Sequence, residues 1–380
     1  MTSSGDRFDA LLAEAGTLSA PDANQAGAYR QAADRLVEAV NESLAAEADV
    51  ADLVGGLPLE VMYQNHRHHV DFMATVFLLG DFELLARTVP WVYRTYTMRG
   101  FSPDYFPREL RHWMASIHGL VPGPAAEILE AYEWLIEHHE DWVVLSRERD
   151  VATRPVSSEW LEARGRFVDL LLAGDTEAVW EMTNELVSSP DEIAPFYLNV
   201  VQPALYEIGR LWEAGEISIA AEHMASSSVS RVMAALTLPG GVINKDKGVF
   251  FVTASPNEFH EIGAWMLSDL LRLDGWSVRY FGSDTPQSAL LEELRAARPG
   301  FLALSVTMPF NLARAQDLVE AIRAEAAIRN TRVLVGGQAF HWSEDAWKKV
   351  KADGMALDAD DGIEVAAAWW NEAEDLDVLA

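Results

Sequence analysis

The spacing of the apolar residues changes once along this chain, and that change limits the folds open to it. From residue 8 to about 237 apolar positions recur at intervals of three and four, the spacing of an amphipathic helix, with Ala, Leu and Glu dominating and no strand signal. A polar, Gly-rich stretch follows, Pro239-Gly240-Gly241-Val242-Ile243-Asn244-Lys245-Asp246-Lys247-Gly248. Directly after it, Val249-Phe250-Phe251-Val252-Thr253 has the length and continuity of a buried strand, and a helical pattern over about 260–273 comes next. Val278-Arg279-Tyr280-Phe281, Phe301-Leu302-Ala303-Leu304-Ser305 and Val333-Leu334-Val335-Gly336-Gly337 repeat the alternation, with a weak fifth strand near Met355-Ala356-Leu357. Strand–helix alternation of this length predicts a parallel sheet covered on both faces, a fold that binds ligands at the carboxyl ends of its strands. The chemistry is expected just after residues 253, 305 and 335.

The helical part divides at Arg147-Glu148-Arg149-Asp150-Val151-Ala152-Thr153-Arg154-Pro155, a charged run ending in a Pro that stops a helix at or before its predecessor. Beyond it four helical segments are predicted near 157–173, 175–188, 191–213 and 216–237. Asp175 and Asp191 stand at N-cap positions, and Gly174 and Gly215 lie in the links. Links this short make a compact bundle. The predicted plan is therefore multidomain, α and α/β: an N-terminal helical domain over 1–150, a four-helix bundle over 151–240, and a flavodoxin-like (Rossmann-like) parallel-sheet domain over 241–380.

Charge and composition exclude several functions. With 29 Lys plus Arg against 59 Asp plus Glu, the net charge is -30, a surface that repels phosphate backbones and anionic headgroups. Neither direct nucleic-acid binding nor membrane binding is expected. The absence of cysteine removes disulfides, zinc-thiolate sites and thioether-attached cofactors. The start, Met1-Thr2-Ser3-Ser4-Gly5-Asp6, lacks a basic and then apolar leader, so the expected address is cytoplasmic.

After the first strand the chain reads Ser255-Pro256-Asn257-Glu258-Phe259-His260-Glu261-Ile262-Gly263. A carboxylate two residues before a His can accept the Nδ1 proton and leave Nε2 free to ligate a metal, while a glycine lets a bulky planar ligand approach the backbone. From spacing alone, the same residues also describe a surface loop with an incidental His. Glu258-x-His260-x-x-Gly263 resembles the Asp-x-His-x-x-Gly signature of cobalamin-binding domains, with Glu in place of the commoner Asp. Ser305-Val306-Thr307 after the third strand and Gly336-Gly337 after the fourth match that family's companion motifs. The resemblance implies that His260 is the lower axial cobalt ligand, and that Glu258, Gly263, Ser305, Thr307, Gly336 and Gly337 line the cofactor and its nucleotide tail.

The bundle ends with Gln202-Pro203-Ala204-Leu205-Tyr206-Glu207-Ile208-Gly209-Arg210-Leu211-Trp212, and Glu222-His223 follow shortly after. Read alone, these are a core aromatic and a solvated helical pair. Together they resemble the cap of the CarH family of cobalamin photoreceptors. That likeness implies that Trp212 packs on a 5'-deoxyadenosyl group and Glu222 hydrogen-bonds it, with His223 a weaker substitute for the histidine that ligates cobalt in the light state of that family. Members of that family often carry a His directly after the Trp, where this chain has Glu213, which removes a second histidine ligand from that position.

The first 150 residues lack the basic helix-turn-helix of CarH-type repressors. Ten aromatic residues fall within 91–142, about twice the chain average of 10%. Among them stand Arg94, Arg99, Arg108 and Arg111, and upstream lies a His-rich helix in which His66 and His69 share a face. Such a set is most often a core. It also fits a pocket for a flat ligand with carboxylate arms, built here from Tyr93, Tyr96, Arg94, Arg99, His66 and His69. The arrangement resembles the photocobilins, which implies noncovalent biliverdin beside adenosylcobalamin. The function expected is a non-enzymatic adenosylcobalamin light sensor. The alternative is a corrinoid carrier of a methyltransferase system, and no substrate barrel supports a mutase subunit. The sequence shows no output domain, so an unidentified effector protein or a homo-oligomer would carry the signal.

Overall fold

A computed structural model describes residues 4–147, 159–237, 247–343 and 345–375. The expected boundary at 148–155 and the polar linker over 239–246 lie outside the described residues. The chain divides into two compact units: Met1–Asp150 with Met308–Ala313 and His341–Val350, and Val151–Thr307 with Arg314–Phe340 and Lys351–Ala380.

The first unit is helical, as its periodicity predicted. It contains α1 (Ser4–Ala15), α2 (Ala23–Ala45), α3 (Val50–Leu53), α4 (Leu59–Leu79), α5 (Phe82–Thr97), α6 (Tyr105–Leu120), α7 (Ala126–Glu137) and α8 (His139–Leu145). Helix α2 starts at a capping box in which the Asp22 carboxylate accepts the Gln25 amide and the Gln25 side chain accepts the Asp22 amide. Helix α4 stops at Gly80, whose left-handed conformation closes the last turn. Two short segments from far along the chain complete this unit. The Phe310 ring stacks on His68 at 5.0 Å, and its carbonyl accepts the Thr75 hydroxyl at 3.0 Å. Buried Asp81 accepts from Ser343 at 2.8 Å and pairs with Lys349 at 3.1 Å.

The second unit joins the bundle to the sheet. Its helices are α9 (Leu161–Ala173), α10 (Thr176–Leu186), α11 (Ile193–Phe196), α12 (Gln202–Glu213) and α13 (Ile219–Thr237). Asp175 caps α10 by accepting the Ala178 amide, and Gly174 and Gly215 take positive φ in the links, as expected. The segment predicted as one helix over 191–213 is instead a 3-10 turn, α11, a π-helical stretch over Tyr197–Val201, and then α12. Pro203 has no amide to return to the carbonyl four residues earlier, so the chain there adopts the wider π geometry. The cap also moves: Ser189 with Glu192 forms the capping box, and Asp191 lies inside the turn.

Five parallel strands follow: β1 (Val249–Ala254), β2 (Ser277–Tyr280), β3 (Phe301–Ser305), β4 (Arg332–Gly336) and β5 (Gly354–Ala356), in the order β2-β1-β3-β4-β5. Helices α14 (Ile262–Leu273), α15 (Gln287–Ala297), α16 (Leu312–Ala324) and α18 (Ala359–Asp375) accompany them, while α17 (Ala346–Lys349), between β4 and β5 in the chain, belongs to the first unit. All five strands fall within a residue or two of their predicted places. This order reverses direction between β1 and β3, the switch point at which such sheets open a crevice. Ala254 pairs with Ser305 and Ser305 with Gly336, so the three predicted motifs leave the sheet at one level.

Bundle and sheet share a core in which Phe196, Tyr197 and Val200 pack with Met266 and Leu270 of α14. One polar contact crosses it, from the Tyr197 hydroxyl to the Asp269 carboxylate at 3.1 Å. Burial pushes Asp269 up to about 6, against the opposing pull of Tyr197 and Arg272. A carboxyl raised in the folded state is protonated there before it is in the unfolded chain. Its contribution to stability is therefore full below about pH 4 and is lost as pH rises through about 6. Unit two is expected to gain about 1.4 kcal/mol from this group between pH 7.5 and 5. Urea unfolding of the Asp269→Asn protein at both pH values should lack that gain, and an identical pH response in the two proteins would refute the assignment.

Candidate functional site

The site grows from the buried Glu258, 1% exposed, on the loop after β1. Its Oε1 lies 2.6 Å from His260 Nδ1 and accepts the His260 amide at 3.1 Å, while Oε2 accepts the Thr307 amide at 3.0 Å. The imidazole stands out from the loop, its side chain 59% exposed, with the Phe259 ring exposed beside it. Removal from water pulls the His260 pKa down, but the hydrogen bond and charge of Glu258, with the charge of Glu222 added, outweigh this and raise it. An Nδ1–H directed at Glu258 leaves the Nε2 lone pair facing outward.

Glu222 of the bundle thus adds its charge to that of Glu258 in raising His260. Glu222, at the start of α13, accepts from Ser226 at 2.8 Å and pairs with His223 at 2.8 Å, whose ring is largely exposed. Trp212 ends α12, half-buried, with its carbonyl accepting the Gly215 amide.

The glycines divide by role. A Cβ on Gly263 would meet nothing within 4 Å, so this turn of α14 is open. On Gly337, at φ +102, it would lie 2.4 Å from the Val306 carbonyl oxygen, and on Gly336 it would lie 3.0 Å from the Ala356 carbonyl oxygen. Gly337 needs glycine for the crossing of the β3 and β4 loops, and Gly336 is pressed against β5, packing roles beside the ligand's tail that the resemblance implies. Val306 fastens that crossing by donating to Gly336 and accepting from Ala339. At the end of β1 the Ser255 hydroxyl is buried without a partner.

These features fit a corrin. A single His donor suits a metal that brings its own equatorial ligands, as cobalt does in a corrin. The open face at Gly263 admits a flat ring, and the orphaned Ser255 hydroxyl offers a polar contact at the switch point. His260 would hold the cobalt, and Ser305, Thr307, Gly336 and Gly337 would border the tail.

Sequence reading missed what steadies this loop. The Thr307 backbone, rather than its side chain, grips Glu258. Asp284, after β2, accepts the Asn257 amide at 2.9 Å and donates its own amide to the Glu258 carbonyl at 3.0 Å. Nothing in the sequence joins residues 257 and 284 until β2 is placed beside β1.

In the first unit the aromatic residues form a packed core. Trp113, Tyr105, Tyr132 and Trp142 are fully buried, and Tyr93 stacks on Phe106 at 3.7 Å. His66 Nδ1 meets Asn41 Oδ1 at 2.5 Å and its Nε2 meets the Tyr105 hydroxyl at 2.9 Å, while His69 Nε2 meets the Tyr132 hydroxyl at 3.0 Å. Burial pushes both histidines down to about 3. They are therefore neutral, occupied core groups near pH 7 rather than cations for an anionic ligand. Arg94 and Arg99, both half-buried, lie on and just after α5.

Comparison with known proteins agrees with the second unit. Residues 163–237 and 248–367 each match a family model described as B12 binding domain. The chain is 27% identical over 256 residues to the HTH-type transcriptional repressor CarH of Myxococcus xanthus, covering 67% of this chain and 80% of that protein. It is 26% identical over 160 residues to dimethylamine corrinoid protein 1 of Methanosarcina acetivorans, covering 41% of this chain and 74% of that one. Among solved structures, the monomethylamine corrinoid protein of Methanosarcina barkeri aligns with a TM-score of 0.47 at 21% identity, over 53% of this chain and 95% of that one. The chain contains a cobalamin-binding module, a helical bundle joined to a Rossmann-like sheet. That module is similar in sequence to CarH and to the corrinoid proteins alike.

Proposed function

We propose that this protein is a light sensor that uses adenosylcobalamin and is not an enzyme. What supports the reading is the buried Glu258 holding His260 Nδ1 at 2.6 Å after β1, in the same compact unit as the cap residues Trp212 and Glu222, with the charge of Glu222 also felt at the imidazole. Bound adenosylcobalamin would supply a cobalt–carbon bond that visible light breaks. His260 would hold the cobalt with its Nδ1–H donated to Glu258, while Trp212 and Glu222 would form the pocket for the adenosyl group, with His223 next to Glu222 on α13. Loss of that group would remove a packing partner from Trp212 and a hydrogen-bond partner from Glu222, which would let the bundle shift along its seam with α14. The signal passes to an effector protein or to a change of homo-oligomer, in the cytoplasm, without contact with nucleic acid or membrane.

A corrinoid methyl carrier is the competing reading, favoured by the likeness to the dimethylamine corrinoid proteins. A pocket built for adenosine leaves polar groups unpaired around a methyl group. Adenosylcobalamin is therefore expected to bind in darkness at least tenfold more tightly than methylcobalamin, with most of the preference lost in Trp212→Ala and Glu222→Ala. Equal affinities would favour the carrier. Illumination should then change the absorption spectrum and the elution volume together.

A second, noncovalent chromophore in the helical unit belongs to the same proposal. Arg94 and Arg99 would pair the propionates of a linear tetrapyrrole such as biliverdin beside the half-buried Tyr96, Tyr93 being taken up by its stack on Phe106. Biliverdin added to the full chain should give a sharpened, red-shifted band that weakens in Arg94→Ala and Arg99→Ala; no band would dismiss it.

A further inference from the structure

The residues directly before His260 are held from the loop after the neighbouring strand β2. Beyond β2, the ladder with β1 continues through Phe281, which donates to Val252, and Gly282, whose carbonyl accepts the Ala254 amide. The chain then turns at Asp284, and β1 gives way to Asn257, with φ of 47 and 67 respectively. Two non-glycine residues in the left-handed region, facing each other across adjacent loops, need compensation for their strain. Two hydrogen bonds between the loops supply it: Asn257 N–H donates to Asp284 Oδ1 at 2.9 Å, and Asp284 N–H donates to the Glu258 carbonyl at 3.0 Å.

Glu258 is thereby gripped at both ends. Its backbone is tied to the β2 loop by Asp284, and its carboxylate is tied to the β3 loop by Thr307 while it holds His260 Nδ1. The ring nitrogen can keep its direction only if the Glu258 backbone keeps its place.

We propose that Asp284 is a positioning residue for the axial imidazole: the Asp284–Asn257 latch fixes the loop that aims His260 Nε2. The proposal rests on His260 being the lower cobalt ligand. It assigns to the β2 loop a part in ligation that none of the sequence motifs contains.

The test uses the full chain loaded with cobalamin, reduced to cobalt(II) and read by electron paramagnetic resonance with 15N-labelled histidine. A labelled ring nitrogen below the cobalt splits each line into a doublet. Asp284→Gly keeps the left-handed turn and removes the acceptor, whereas Asp284→Asn keeps both. The Gly variant is expected to bind cobalamin about fivefold more weakly, the scale of one hydrogen bond. It should show a mixture of His-bound and unbound cobalt, with circular dichroism and melting temperature unchanged, while the Asn variant matches the parent. A Gly variant with a full doublet and parental affinity would overturn the role of Asp284. So would an Asn variant as impaired as the Gly variant. If the parent gives no doublet, or if His260→Ala keeps it, the reading of His260 itself fails and the latch with it.

Discussion

The His260→Ala protein is expected to bind cobalamin on the order of 100-fold more weakly than the parent, with the dark spectrum of a cofactor lacking a protein ligand. The effect is large because one substitution removes the donor atom and strands its support. Glu258 is buried, and without the imidazole it loses its shortest contact, while the His260 and Thr307 amides still donate to it. A buried carboxylate that loses a short hydrogen bond is destabilised, so the loop itself is expected to loosen. Glu258→Gln should cost less, about tenfold, because a carbonyl oxygen can still accept one of the two bonds now made to His260 Nδ1 and the Thr307 amide. Isothermal titration with cobalamin in darkness, with spectra recorded on the same samples, measures both. An unchanged affinity and spectrum in His260→Ala would remove this residue from the cobalt.

Gly337→Ala is expected to destabilise the second unit by on the order of 4 kcal/mol, whether or not cobalamin is present. The new Cβ would fall 2.4 Å from the Val306 carbonyl oxygen at a backbone angle that side chains rarely tolerate, so the β3 and β4 loops must separate. Gly263→Ala is the contrasting case. It sits in the first turn of α14 with nothing within 4 Å of a new Cβ. Alanine there should leave urea stability equal or slightly higher, by about 0.5 kcal/mol, because it suits a helix better than glycine. Cobalamin binding should nevertheless weaken, since the open space is where a flat ring would lie. Urea unfolding of the two apo proteins, followed by cobalamin titration, separates a glycine required by the fold from one required by a ligand. Parental stability in Gly337→Ala would show that the loop crossing can relax, and parental affinity in Gly263→Ala would take the ring away from α14.

Some of this molecule is legible in one dimension. Strand and helix differ in the spacing of apolar residues, so Val249-Phe250-Phe251-Val252 announces a strand buried on both faces, and the structure places β1 there. Glu258 and His260 are two residues apart on one loop, so their pairing needs no distant information. The aromatic density of 91–142 was legible as composition but not as role, because a packed core and a ligand pocket draw on the same side chains. Burial and partners decide between them for His66 and His69, and neither is written in the local sequence.

The sequence by itself determined the alternation of strands and helices, the positions of the strands, and the carboxylate–imidazole pair on the first loop. Each depends on residues close together in the chain. Only the tertiary structure decided what surrounds that pair. The strand order β2-β1-β3 brings Asp284 to Asn257 and Thr307 to Glu258. Close backbone approach makes Gly337 obligatory against Val306, and the packing of the bundle on α14 brings the charge of Glu222 to His260 and buries Asp269 beneath Tyr197. These contacts join residues tens of positions apart. Hydrogen bonds and charges act through space, and nothing in the local spacing of a sequence records which distant residue arrives.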